Sequence, residues 1–401
     1  MDSDTLPVPS HIPPSLVYDF DYFLAPELTY RPHQRATALL HKNAPEIFWT
    51  PRNNGHWIVT RATVAQEMLR QTDLFSSRSE FNKERNFDPP MLPIQADPPD
   101  HTEYRKILNP FLTPGAVAKM EADIRALARQ IIDDIQPNGR CDFVKEVGQR
   151  FPITIFLRLV NAPYEDRHRL IKCAEGYTRS ALFEDRLAHV RQLGAYIREL
   201  FEERRKNLGT DMLSHIIRSS IFDRPLNQRE EEGLATLLFL GGLDTVKSAL
   251  SFTMLYLARN PDKYNQLRDN PALIRPAIEE ILRTNGVSVP ERGATGDFDY
   301  NGVPFRRGDR IVFMVQLYGY DDQINSNPEL VDFTRDISLH YAFGAGPHRC
   351  VGSHLARLEF RIFLEEWISR FPSFRVDQEG EIATAGGIVW APDALPLAWD
   401  V

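Results

Sequence analysis

Apolar side chains return at the helical period through most of the middle of the chain. The segments 101–112, 115–136, 164–183, 185–207, 211–219, 228–259, 263–269 and 271–284 all fit that spacing. Ahead of them, 31–42 and 62–71 read as short helices on either side of a β-rich run, His56–Thr60. Past residue 285 the β-rich pieces gather at 297–303, 310–313 and 387–397, with one more helical stretch over 351–370. Residues 78–100 are polar and broken by Asp88-Pro89-Pro90 and Asp97-Pro98-Pro99, which predicts a long loop of the kind that forms lids and binding segments. No internal repeat and no Gly/Ser-rich linker interrupts the pattern. It predicts a single, mainly α domain over residues 1–401 with small β-sheets.

The run 228–259 stands apart. Asn227 can cap it, and Glu230 completes a capping box. It is about three times the mean helix length of roughly 11–12 residues. From Leu234 to Leu250 it is apolar nearly all round, so it is expected to cross the interior as one helix. Yet Gly241-Gly242 and Asp244-Thr245 sit at its centre. Two glycines cost about 1–2 kcal/mol of helix propensity, and a buried carboxylate needs a partner. Close backbone approach and polar groups are therefore expected at this point.

Composition narrows the function. The 401 residues, 42% of them hydrophobic, suffice for a large core. A formal charge of −8 argues against a broad nucleic-acid-binding face, which needs concentrated basic surface. No stretch approaches the run of about 18 consecutive apolar residues that a membrane span requires, so none is expected. The start, Met1-Asp2-Ser3-Asp4, lacks the cationic and apolar parts of a secretory signal, and a cytoplasmic location is expected. Cys141, Cys173 and Cys350 are odd in number and far apart, so no disulfide framework is predicted. A cysteine that matters here is expected to act as a thiolate.

The run Phe343-Gly344-Ala345-Gly346-Pro347-His348-Arg349-Cys350-Val351-Gly352 offers that thiolate. Glycines at 344 and 346 let the backbone turn tightly and approach a flat ligand. Cys350 lies at the mouth of the predicted helix 351–370, and both the helix N-terminus and Arg349 are expected to favour the anion. A thiolate on a rigid loop suits axial ligation of haem iron. The competing zinc reading, through His348, Cys350 and His354, lacks a second cysteine at ligand spacing.

This run resembles the haem-binding loop of the cytochrome P450 family, Phe-x-x-Gly-x-x-x-Cys-x-Gly, matched in full. Glu280-Ile281-Leu282-Arg283 resembles the family's Glu-x-x-Arg motif, and Arg335 falls where the family places the third member of that ion network. Gly241-Gly242-Leu243-Asp244-Thr245 resembles the oxygen-binding groove of its central helix. Asp97-Pro98-Pro99-Asp100-His101-Thr102-Glu103-Tyr104-Arg105 resembles its propionate-binding helix start. The resemblance implies a P450 fold with haem b held between the long central helix and the cysteine loop. It makes Cys350 the axial ligand, with Gly241 and Phe343 against the cofactor. His101, Arg105, Arg292 and His348 become candidates for the propionates, which need fixed donors. Thr245 is implied as the hydrogen-bond donor to dioxygen and Asp244 as a proton relay.

Similarity to the camphor-hydroxylating branch runs over most of the chain, notably at Phe151-Pro152-Ile153, Gly302-Val303 and the closing stretch through Trp399-Asp400. That branch implies a [2Fe-2S] ferredoxin and an NAD(P)H-dependent reductase as partners, with Arg105 and Arg349 as docking residues. Asp73 and Thr102 replace two basic positions of the branch's docking face, so a different cognate ferredoxin is expected. Glu175 and Arg179 fall where the branch has charged partners for Asp244. The tyrosine that holds camphor's ketone has no counterpart in Asn86-Phe87-Asp88-Pro89-Pro90-Met91, and Pro290 replaces an aspartate near a propionate. The pocket is expected to comprise Phe81, Met91, Tyr177, Thr178, Leu237, Leu240, Val287 and Val389. These residues suit a terpenoid or norisoprenoid ketone held mainly by shape. Three other readings stay open: a haem-thiolate peroxygenase or isomerase, a non-catalytic haem sensor, and a cofactor-free helical protein with an incidental cysteine.

Overall fold

The computed structural model describes residues 5–336 and 340–401, so the acidic start Met1-Asp2-Ser3-Asp4 lies outside the described residues. Most of the chain is helical. The helices that position the site are α1 (Asp100–Leu112), α2 (Phe151–Val160), α3 (Arg167–Arg179), α4 (Phe183–Lys206), α5 (Gln228–Leu243), α6 (Thr245–Arg259), α7 (Ile274–Thr284) and α8 (Ser353–Arg370). They pack around one contiguous apolar core. Helix α2 shows no helical period in its sequence, for a physical reason. Phe151 to Leu157 are all buried, so it has no polar face to set a period.

The predicted single helix over 228–259 is two helices that meet at Asp244, whose backbone leaves the helical region at φ −123° and ψ −36°. Its start follows the sequence: Asn227 accepts from the Glu230 N–H, and the Glu230 carboxylate accepts from the Asn227 N–H. The break has local causes. The Thr245 hydroxyl donates to the Gly241 carbonyl at 2.8 Å. A Cβ at Gly242 would lie 2.3 Å from the ring of Phe156 on α2, so only glycine lets the two helices approach this closely. The combined stretch is long and apolar enough to cross a bilayer by composition, contrary to the run-length argument from sequence. Two-thirds of its most apolar window is buried inside the protein, so core packing accounts for that apolarity.

A five-stranded sheet flanks the helices. Its strands β1 (Ile47–Thr50), β2 (His56–Val59), β3 (Phe75–Ser76), β4 (Glu291–Ala294) and β5 (Arg310–Phe313) lie in the order β1-β2-β5-β4-β3. Only β2 and β5 run parallel, with Val312 opposite Ile58. The sheet delivers Glu291 and Arg292 to the interior on β4 and carries the chain from β3 into the loop that follows. That loop is irregular as predicted, apart from two 3-10 turns at Ser79–Phe81 and Lys83–Arg85. The tail folds less regularly than its β-rich composition suggests, with strands only at Ala391–Pro392 and Pro396–Ala398 over the predicted range.

Candidate active site

An internal cavity of about 380 Å³ lies between the α5–α6 junction and the loop before α8. Cys350 sits on its floor. The loop is closed by the Cys350 N–H donating to the Phe343 carbonyl at 2.8 Å, and Gly344 and Gly346 adopt φ of 70° and 67°. Gly346 also passes so close to the Leu69 carbonyl that a Cβ would meet it at 2.6 Å. Cys141 and Cys173 are buried in the core, whereas the Cys350 sulfur is accessible because it opens onto the cavity.

Behind the loop, Glu279 of α7 takes both Arg357 (2.6 and 2.7 Å) and His340 (2.9 Å), and the Arg357 guanidinium stacks 4.3 Å over the Phe343 ring. The neighbouring Glu280 binds Arg283 through two hydrogen bonds (2.8 and 2.9 Å) and Arg335 through one (3.0 Å). Remaining donors of both guanidiniums end on backbone carbonyls of Pro328, Leu330 and Ser326. One helix thus braces two loops. The helix N-terminus does less for the cysteine than expected, because α8 begins only at Ser353. The Gly352 N–H and the charges of Arg105, Arg357 and Arg349 favour the thiolate, but burial outweighs them and holds the thiol above its ordinary value. A ligated metal cation removes such a proton outright.

One end of the cavity gathers donors that make no ion pair among the described residues: Arg105 and Arg292 each reach one backbone carbonyl, of Arg349 and Glu291, and His348 meets the Ser77 hydroxyl at 3.0 Å. His101, Arg105 and His348 line it, and Arg292 lies within electrostatic reach of both histidines. The rings of His101 and His348 are 4.1 Å apart. Both ring nitrogens of His101 and the Nε of Arg292 are buried without a hydrogen-bond partner among the described residues. Burial, with the charges of Arg105 and Arg292, pulls His101 down to about 4, and burial pulls Arg292 down to about 10. The nearest acid, Asp97, is engaged by the Ser76 hydroxyl (2.5 Å) and the Ser77 N–H (2.9 Å). A buried cluster of donors lacking its own carboxylates fits a flat ligand that carries two carboxylates at one edge, as haem does.

Across the cavity from Cys350, Gly241, Gly242 and Thr245 form the wall, and Asp244, itself fully buried, turns away from it into an ion cluster. Its carboxylate accepts from the Thr178 hydroxyl (2.8 Å), Arg179 (3.0 Å) and Lys247 (2.7 Å). Lys247 also reaches Glu175, which pairs with Arg179 at 3.3 Å. Burial alone would raise the Asp244 carboxyl; Lys247 and Arg179 overcome it and hold the group below its usual value. Glu175 and Arg179 therefore meet Asp244, as the sequence suggested. Lys247 did not declare itself, because a lysine in an apolar helix looks unpaired until α3 is packed against it.

Of the expected pocket residues, Tyr177, Thr178, Leu237, Leu240, Val287 and Val389 line the cavity, together with Pro290. Phe81 and Met91 do not. The turn at Ser79–Phe81 swings the Phe81 ring outward under Arg307, 4.8 Å from its guanidinium. Met91 is buried where its backbone N–H meets Gln95. Their places are taken by Arg85, Phe87 and Ile94. Arg105, expected at a docking surface, points inward and donates to the Arg349 carbonyl at 2.7 Å, while Arg349 itself is exposed. Glu359 of α8, a buried acid on the cavity wall with one oxygen unpartnered, is strongly raised by burial and was not singled out in the sequence.

Comparison with known proteins gives the same direction. A family model described as cytochrome P450 matches residues 22–393. Probable cytochrome P450 127A1 of Sinorhizobium fredii is 35% identical over 98% of this chain and 97% of its own length. Linalool 8-monooxygenase of Pseudomonas putida is 28% identical over 84% of this chain and 89% of its own. The crystal structure of CYP101J2 superposes with a TM-score of 0.87 at 31% identity, covering 99% of this chain and all of that one.

Proposed function

The chain belongs to the cytochrome P450 family and is a haem-thiolate monooxygenase with haem b; on that premise we propose that it hydroxylates a small, largely apolar molecule of terpenoid or norisoprenoid size, with two electrons drawn from a [2Fe-2S] ferredoxin. The observation that carries this reading is the sulfur of Cys350 opening onto an apolar cavity whose opposite wall is Gly241–Thr245. The linalool enzyme among the relatives acts on a compound of the proposed size. The ferredoxin and its NAD(P)H-dependent reductase follow from the likeness to the camphor-hydroxylating branch, and the reaction is placed in the cytoplasm, where NAD(P)H is at hand.

When bound, haem supplies dioxygen activation and transfer of one oxygen atom to the substrate. The chain's own residues do the rest. Cys350 would hold the iron, His101, Arg105, Arg292 and His348 would take the propionates, and Phe343 and Gly241 would flank the cofactor. Leu237, Leu240, Val287 and Val389 exclude water and orient an apolar body. Thr245, tied to the Gly241 carbonyl, presents its hydroxyl oxygen to the cavity. Asp244 relays protons: Glu175 and Arg179, 29% and 24% exposed, connect the buried Asp244–Lys247 pair with solvent. Since the carboxylate is turned away from the cavity, each delivery requires it to exchange a partner in this cluster for a group on the Thr245 side.

The test is a reduced, CO-treated difference spectrum of the purified protein, with Cys350→Ser alongside. The expected result is a red-shifted thiolate band that the variant loses. Product formed with ferredoxin, reductase and NADH supports the electron route. Product formed only with added peroxide sinks it.

A further inference from the structure

Arg85 is a buried cation that forms no ion pair among the described residues, although its charge acts on Glu291. It is 7% exposed, lines the cavity, and makes no side-chain hydrogen bond or ion pair among the described residues. Its backbone is fixed, because its carbonyl accepts from the Phe87 N–H at 2.8 Å and from the Gln95 amide, and its N–H donates to Asn82 at 3.0 Å.

The acids around it are already engaged. Glu84 binds Arg186 at 3.1 Å. Glu291 is taken by Arg310 through both oxygens (2.8 and 3.1 Å), and by Asn82 and Tyr22. Asp97 belongs to Ser76 and Ser77. The two haem carboxylates already have one guanidinium each, Arg105 and Arg292, besides two histidines. A further buried cation calls for a further anion.

A second unpartnered group stands on the same wall. Tyr177, on α3, is 9% exposed, and its hydroxyl makes no hydrogen bond among the described residues. Its ring meets Phe87 edge-on at 5.9 Å. Among the charges that act on that hydroxyl, Arg85 is the strongest. A guanidinium and a phenol thus line the same chamber within electrostatic reach of each other, and Arg85 also acts on Arg292 and His348 at the donor-rich end.

We propose that Arg85 and Tyr177 form an anion-binding corner of the substrate chamber, which holds the carboxylate of a small apolar acid. The hydrocarbon body then lies against Leu237, Leu240, Val287 and Val389, within reach of Thr245. This rests on the reading of the cavity as a monooxygenase's substrate chamber, and it replaces a ketone held by shape with an acid held by charge.

The experiment measures binding of matched acid and alcohol pairs to the holoenzyme at about pH 7.5, where the acids are ionised. The probes are perillic acid with perillyl alcohol and 4-isopropylbenzoic acid with 4-isopropylbenzyl alcohol, followed by calorimetry and by the Soret shift. At least one acid is expected to bind about 10-fold or more tighter than its alcohol, as a charge-assisted hydrogen bond in a buried site supplies. Arg85→Gln should erase that preference with haem content unchanged, and Tyr177→Phe should weaken it several-fold. No preference for either acid in the wild type overturns the proposal, as does a preference that survives Arg85→Gln. Loss of haem in Arg85→Gln also overturns it, making Arg85 a third propionate clamp. Should that variant fail to fold, the wild-type pairs and Tyr177→Phe still decide. Failure of the monooxygenase reading shows separately, as a missing thiolate band.

Discussion

Replacing Asp244 with asparagine should reduce turnover far more than stability. The cluster sets Asp244 and Glu175 against Arg179 and Lys247, two negative groups against two positive. Asparagine keeps one acceptor for the cations and loses one charge. Breaking a fully buried pair costs about 3–5 kcal/mol. Asp244 and Lys247 are 0% and 1% exposed, but Arg179 and Glu175 are 24% and 29% exposed, so water screens part of the loss. A fair figure is about 2–4 kcal/mol. For 401 residues at roughly 2.1 cal/mol/K each, the unfolding entropy is about 0.84 kcal/mol/K, and Tm should fall by about 2–5 °C. Removing a positioned proton relay costs about 100-fold or more in rate. The assay is product formation with saturating ferredoxin and NADH, read beside haem content and a melting curve. Turnover within twofold of wild type, in a variant that melts a few degrees lower, would show that the cluster is structural and that protons reach Thr245 by another path.

Lys247→Met should raise the Asp244 carboxyl, since Lys247 is the strongest charge holding it down; the acid limb of the turnover profile then moves to higher pH, and an unmoved limb counts against the pairing. Gly242→Ala places a methyl 2.3 Å from the Phe156 ring and should cost about 1–3 kcal/mol by overpacking, recovered in part by Phe156→Leu in a urea melt. His33, buried and hydrogen-bonded to the Gly286 carbonyl at 2.7 Å, is held down to about 4 by burial. The unfolded chain therefore takes this proton first: stability is full above about pH 6.5 and falls as the pH drops towards 4, by roughly 3 kcal/mol in all. Urea midpoints of His33→Gln should show a shallower decline across that window than wild type.

What the sequence made legible followed from local rules. The Asn227–Glu230 cap and the glycine turns before Cys350 depend on neighbours within a few residues, and each lies where the pattern put it. The central helix was read as continuous because apolarity says nothing of the hydroxyl that bonds back to Gly241 or of the ring facing Gly242. Phe81 and Met91 were placed by position in a loop whose turns only tertiary contacts decide. Arg85 and Lys247 stayed hidden for a related reason. A charged residue reveals its burial only when the elements packed against it are known.

The buried cations divide by where their counter-charge comes from. Arg283 and Arg335 find Glu280 in their own chain, and their surplus donors end on carbonyls, so that network is complete and supports the fold. Around Asp244 the charges also balance within the chain, yet two members reach solvent, which is what a group that must exchange protons needs. At the cavity the balance fails. Among the described residues Arg105, Arg292 and Arg85 make no ion pair, while His101 and His348, whose protonation burial disfavours, supply donors rather than charge. Burial of an unmatched cation is too costly to persist without a compensating anion. The compensating anions are expected to arrive with what the cavity binds: two on the cofactor for Arg105 and Arg292 and, on the proposal made for Arg85, one on the substrate.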